Sequence, residues 1–168
     1  MRIWGWRMIR VLLLLLWLPS IATANAWDVF VERCLDPFEN VREPEVSDFT
    51  LLQSTEVSDT YQLKAETYFI EINLTNTSFD WGPDACVVAS QTDQSMRDLE
   101  EGYAKWATSV IASGRYVPSE SDPRSVLSPM LPGLLSVGFR EPLINVSLMP
   151  KSHNRPTFVA VQETFLES

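Results

Sequence analysis

Apolar residues fall at Trp27, Phe30, Val31, Cys34, Leu35 and Phe38, in steps of three and four that mark one face of a helix. Pro37 lacks an N–H and crowds the preceding turn, so the regular helix is expected to end near Asp36. Asn40 to Asp59 is polar, is broken by Pro44, and reads as irregular apart from Phe49 to Leu52. From Tyr61 to Thr75 the period becomes two. Tyr61, Leu63 and Ala65 alternate with Gln62, Lys64 and Glu66, and then Ile70, Ile72 and Leu74 take the apolar positions. A change of parity without Gly or Pro predicts one extended segment with a bulge or bend after Thr67. Asn76 to Asp84, holding Gly82-Pro83, reads as a loop. Ala85 to Ala89 reads as a strand apolar enough to lie inside a sheet.

The best-defined helix follows. Ser95 with Asp98 resembles a capping box, and Met96, Leu99, Tyr103, Trp106 and Val110 then step by three and four, with Ala107 and Ile111 widening the stripe. Arg97–Glu101 and Glu101–Lys105 are favourable pairs on the outer face, and Gly114 supplies the stop. Tyr103 and Trp106 either line a ligand pocket or belong to the core, as aromatics at this spacing usually do. Pro118 to Pro132 reads as a long exposed loop. Three strands are expected after it: Leu134 to Arg140, Leu143 to Met149, and Thr157 to Phe165, with Pro150 to Pro156 as a hairpin loop. The sum predicts an α+β two-layer sandwich, with two helices on one face of a mostly antiparallel sheet of about five strands.

The N-terminus carries an address. Arg2, Arg7 and Arg10 precede an apolar run from Val11 to Trp17, and Ala24-Asn25-Ala26 supplies small residues for cleavage. That order is the plan of a secretory signal peptide over residues 1–26, with Trp27 as the expected mature N-terminus. The run is shorter than the about 20 apolar residues of a spanning helix. Residues 27–168 are expected to form one exported domain, periplasmic or extracellular, without a further span. Loss of the leader leaves ten basic residues against 22 acidic ones, a net charge of −12 where the whole chain has −9. Such a field repels nucleic acid and anionic lipid and favours a basic protein partner.

Cys34 and Cys86 are the only cysteines, and in an exported chain the expected use of two thiols is one structural disulfide. A ring of about 50 residues corresponds to roughly 4 kcal/mol in the chain-entropy model. Two cysteines and a single histidine make a poor zinc site, which wants four N or S ligands, and no other cofactor motif is present. Asp28, Glu32 and Asp36, spaced by four, form an acidic stripe that either docks a basic partner or is a solvated helix face. His153 sits in a polar loop without a nucleophile elbow, which argues against a triad. With Lys151 and Arg155 it makes a basic spot fit for an anion or a partner's carboxylate. Asn73, Asn76 and Asn145 head glycosylation triplets that decide nothing here. The function read from this inventory is a non-enzymatic exported accessory or protein-binding domain with an acidic surface. The alternative is a small hydrolase acting on envelope material through paired carboxylates.

The segment Phe30 to Val41, FVERCLDPFENV, resembles one seen in small exported proteins of alphaproteobacteria, in which a helix carries Cys-Leu-x-Pro-x-Glu and a second Cys lies on a later strand. Cys34, Leu35, Pro37 and Glu39 match that pattern, with Cys86 as the second member. The resemblance covers little more than one helix. It implies a periplasmic location and brings no activity with it.

Overall fold

Asn25 opens the first of the described helices, its side chain accepting from the backbone N–H of Asp28 at 2.9 Å. This satisfies one of the donors that a helix start leaves without a partner. The computed structural model describes residues 25–63, 68–73, 85–128, 142–153 and 155–165. Most of the expected leader, the parity change at 64–67, the loop at 74–84 and the expected strand Leu134 to Arg140 lie outside the described residues. Helix α1 (Ala26–Phe30) runs into a π-helical turn (Val31–Leu35) and then into α2 (Asp36–Glu39). The helical path therefore does not stop near Asp36. Within the widened turn the N–H of Asp36 bonds to the carbonyl of Val31, five residues back. The break in the α ladder that Pro37 demands is thus made upstream of it, and Pro37 sits at the start of α2. A Schellman turn ends α2: the N–H of Arg42 bonds to the carbonyl of Pro37 at 2.8 Å, and that of Val41 to Phe38 at 3.2 Å. Val41 takes φ 53° there, a left-handed conformation that a β-branched residue rarely adopts.

Helix α3 (Asp93–Ala112) has its N-cap at Thr92, whose side chain and that of Ser95 cap each other's backbone. Ser95 is thus the third helical residue rather than the cap. Gly114, with φ +73°, makes the turn beyond the helix that residues with a Cβ resist. Leu99, Tyr103, Ala107 and Val110 are buried as the stripe predicts, whereas Ile111 is 37 % exposed. The expected Arg97–Glu101 pair is replaced by a bond from Arg97 to Gln94 at 2.8 Å.

Among the described residues the sheet holds eight strands, not about five: β1 (Phe49–Ser54), β2 (Ser58–Leu63), β3 (Tyr68–Asn73), β4 (Ala85–Ser90), β5 (Val117–Pro118), β6 (Ser125–Leu127), β7 (Pro142–Met149) and β8 (Phe158–Phe165). Their order is β1-β2-β3-β4-β8-β7-β6-β5, with every neighbouring pair antiparallel. Tyr61 to Thr75 is thus no single bulged strand. β2 and β3 pair side by side as antiparallel neighbours, Tyr61 opposite Ile70. The expected loop Pro118 to Pro132 holds the end of β5 and all of β6, strands too short to show a period.

The helical segment 26–39 and α3 bury their apolar faces against the central strands. Phe30, Cys34, Leu35 and Phe38 meet Ile70, Cys86, Val88, Val159 and Val161 in one core with Leu99 and Tyr103. The Cys34–Cys86 disulfide joins the π-helical turn to β4 across this core, both residues being fully buried. No described helix is long and apolar enough to cross a membrane.

An acidic aromatic cleft as the candidate functional site

The Cys-Leu-x-Pro-x-Glu segment turns out to be architectural throughout. Cys34 is in the disulfide, and Leu35 and Pro37 are buried. Glu39 accepts from the Tyr116 hydroxyl at 2.8 Å and from Arg115 at 2.7 Å, tying α2 to the segment after α3. Burial, together with the neighbouring Glu39 carboxylate, raises the Tyr116 pKa far above the ordinary phenol range. Tyr116 is buried, and the exposed guanidinium of Arg115 is already engaged by Glu39.

The acidic stripe is divided by its surroundings. Glu32 lies 3.5 Å from Arg33, and Asp36 pairs with Arg42 and accepts from Asn40 at 2.9 Å. The π-helical turn between Asp28 and Asp36 also breaks the four-residue phase that would have stacked them. Arg33 is turned inward, reaching Asp48 at 3.1 Å and lying over the Phe49 ring at 5.8 Å. Of the three stripe carboxylates, only Asp28 has no ion pair among the described residues, and it faces a cleft between α1 and α3.

That cleft has a volume of about 530 Å³ and is lined by Trp27 and Asp28 from α1 and by Asp98, Glu101, Lys105 and Trp106 from α3. The two indoles stand 5.9 Å apart between ring centres. Trp27 also packs on Phe30 at 5.3 Å and Tyr103 at 6.4 Å, and Trp106 packs on Tyr116 at 5.0 Å. Gly102 sets the approach of the helices. A Cβ built there would stand 2.1 Å from Cγ of Trp27. Glycine in mid-helix costs about 1 kcal/mol relative to alanine, and here it makes room for the indole. Under the rings, Tyr103 donates its hydroxyl to the carbonyl of Arg124 at 2.7 Å, and burial raises its pKa to about 12. Trp106 is therefore only half-buried, with one edge in the core and one in the cleft, rather than a plain core residue. Asp98, Glu101 and the cleft face of Trp27 do not emerge from helical periodicity. The signal that points to them is Gly102, an interior glycine in a strongly patterned helix.

The basic residues gather elsewhere. Lys151, His153 and Arg155, on the turn between β7 and β8, line a pocket of about 290 Å³ with Gln91, Asp93 and Met96 at the start of α3. All three are exposed, and Lys151 stands 4.0 Å from Asp93. The structure thus brings the expected anion-binding residues together but adds a carboxylate to them. No group of three or more His, Cys, Asp or Glu fit to hold a metal occurs among the described residues. Of the carboxyls with shifted titration, Glu45 is lowered by its bonds with Ser47 and Asp122 by its bonds with Arg124. Both lie outside the acidic cleft and both move away from the range of a general acid.

No protein-family model matches this chain, and no curated protein or solved structure matches it.

Proposed function

We propose that this is an exported, non-enzymatic accessory domain that takes a basic segment of a partner protein in the cleft between α1 and α3. The observation that carries this reading is the pairing of two fixed indole faces with three carboxylates against one lysine, Lys105, around one opening. An arginine or lysine side chain laid on Trp27 and Trp106 gains a cation–π contact of about 0.5–2 kcal/mol, and Asp28, Asp98 and Glu101 supply the countercharge. Asp28 and Glu101 are solvent-exposed. This suits recognition better than acid–base chemistry, which asks for a desolvated carboxyl with a raised pKa. Export is supported by the charged and apolar plan of the leader and by the formation of a disulfide. The net charge argues against nucleic acid as the partner.

The test is titration of the purified domain with an oligo-arginine peptide, followed by calorimetry and by association kinetics. Affinity is expected to fall steeply between about 0.01 and 0.15 M salt, as the Debye length shrinks from about 30 to 8 Å. The triple change Asp28→Asn, Asp98→Asn, Glu101→Gln should slow association, whereas Glu32→Gln with Asp36→Asn should leave it unchanged. Binding that ignored salt and the triple change would remove the cleft as the contact.

A further inference from the structure

We infer that the leader is removed between Ala24 and Asn25, so that the mature protein begins at Asn25 rather than Trp27; this rests on the export reading above. A leader peptidase of this kind requires small residues at the last and third-last positions of the leader. The chain satisfies that rule twice, with Ala22-Thr23-Ala24 and with Ala24-Asn25-Ala26. Sequence alone does not choose between them, and the fold does.

Asn25 and Ala26 are working parts of the domain. The Asn25 side chain accepts from the N–H of Asp28, and its carbonyl accepts from the N–H of Val29 at 3.1 Å, so it closes the first turn of α1. Ala26 is the first residue of that helix and is 1 % exposed, inside the main core. Cleavage at the second site would strip the cap, bare the donors of the first turn and empty the place of a buried methyl. It would also leave Trp27, whose ring is clasped by Gly102, Tyr103 and Trp106, as an untethered chain end. A peptidase binds its substrate as extended chain. Once α1 forms, the bond from Ala26 to Trp27 lies within a helical turn with its first side chain buried, whereas the bond from Ala24 to Asn25 precedes the cap. Folding therefore protects the second site.

The experiment is expression of the full chain with its own leader in a Gram-negative host, followed by N-terminal sequencing and intact mass of the exported fraction. The expected chain starts with Asn25 and is heavier by one Asn and one Ala than a chain starting at Trp27. A Trp27 start in the exported fraction overturns this inference and leaves export standing; a cell-retained chain with its leader intact overturns both. Ala22→Leu places a bulky residue at the third-last position of the first site only, and should abolish the Asn25 product. Persistence of that product would count against the assignment. Folded domains released from a fusion with Asn25 or with Trp27 first provide the independent measurement. The shorter one should melt at lower temperature, and equal melting would show that residues 25 and 26 do not decide the matter.

Discussion

The two openings along α3 share a helix but differ in how their charges are held. In the acidic cleft the rings are fixed before any partner arrives. Trp27 is seated against Gly102 and is in ring contact with Phe30, Tyr103 and Trp106, and α1 is tethered through the disulfide in the π-helical turn that follows it. In the basic pocket three exposed side chains stand on a turn, and one of them already has Asp93 beside it. A surface pair of that kind contributes about 0–1 kcal/mol, and free side chains lose rotamer freedom on binding anything. Preorganisation, not the number of charges, separates the two. For that reason the proposed binding is placed on the acidic side, even though the basic residues stand out more clearly in the sequence.

The largest expected effect tests the tether. Replacing Cys34 and Cys86 together with Ser should cost about 2–5 kcal/mol of stability, measured by urea denaturation. At urea concentrations where the fold survives, peptide affinity should fall as well. Full affinity in the folded, unbridged protein would show that the cleft does not need its anchor.

Gly102→Ala sets two effects against each other. Helix propensity gains about 1 kcal/mol. The added Cβ meets Cβ and ring atoms of a packed Trp27, which cannot swing aside as a chain tip would, and overpacking of this kind costs about 1–3 kcal/mol. The clash is expected to win, lowering stability and weakening the peptide while leaving the basic pocket intact. A stabilised variant would mean that the indole is not seated as described.

High pH gives a smaller loss. The Tyr103 hydroxyl has its pKa raised to about 12 from an ordinary 10. The unfolded chain therefore releases this proton first, and the stability it contributes is whole below about pH 10 and disappears as pH rises toward about 12. Tyr103→Phe should flatten that slope in a series of denaturation curves; an unchanged slope would place the burial elsewhere. The least effect is expected from Lys151→Ala with Arg155→Ala, within about 0.5 kcal/mol in stability and without loss of the arginine peptide. Weakened binding in this variant would dissolve the contrast between the two openings.

Much of the architecture follows from pattern. The amphipathic runs at 27–38 and 95–111 are helical, β4, β7 and β8 lie within a residue or two of their expected bounds, and the two cysteines are bonded. Strand number does not follow, for physical reasons. β1 is exposed along nearly its whole length, with Leu51 and Leu52 more than half exposed, so no burial period marks it. β5 and β6 have two and three residues, less than one full alternation gives a reader. The cleft escapes for another reason. Periodicity reports which face of a helix is apolar, but Asp28 and Glu101 belong to polar faces that meet only once α1 crosses α3.

The strand order has a consequence for the order of assembly. β1 to β4 form one meander of neighbours in sequence and β5 to β8 another, and the two halves meet only where β8 lies against β4. Contacts within each half close short loops and form early, whereas the seam joins segments some seventy residues apart, such as Val88 with Val159. Until β8 has been made, β4 presents a bare and strongly apolar edge, the kind that recruits other chains. The last of the described strands in chain order is thus the one that closes the most aggregation-prone gap.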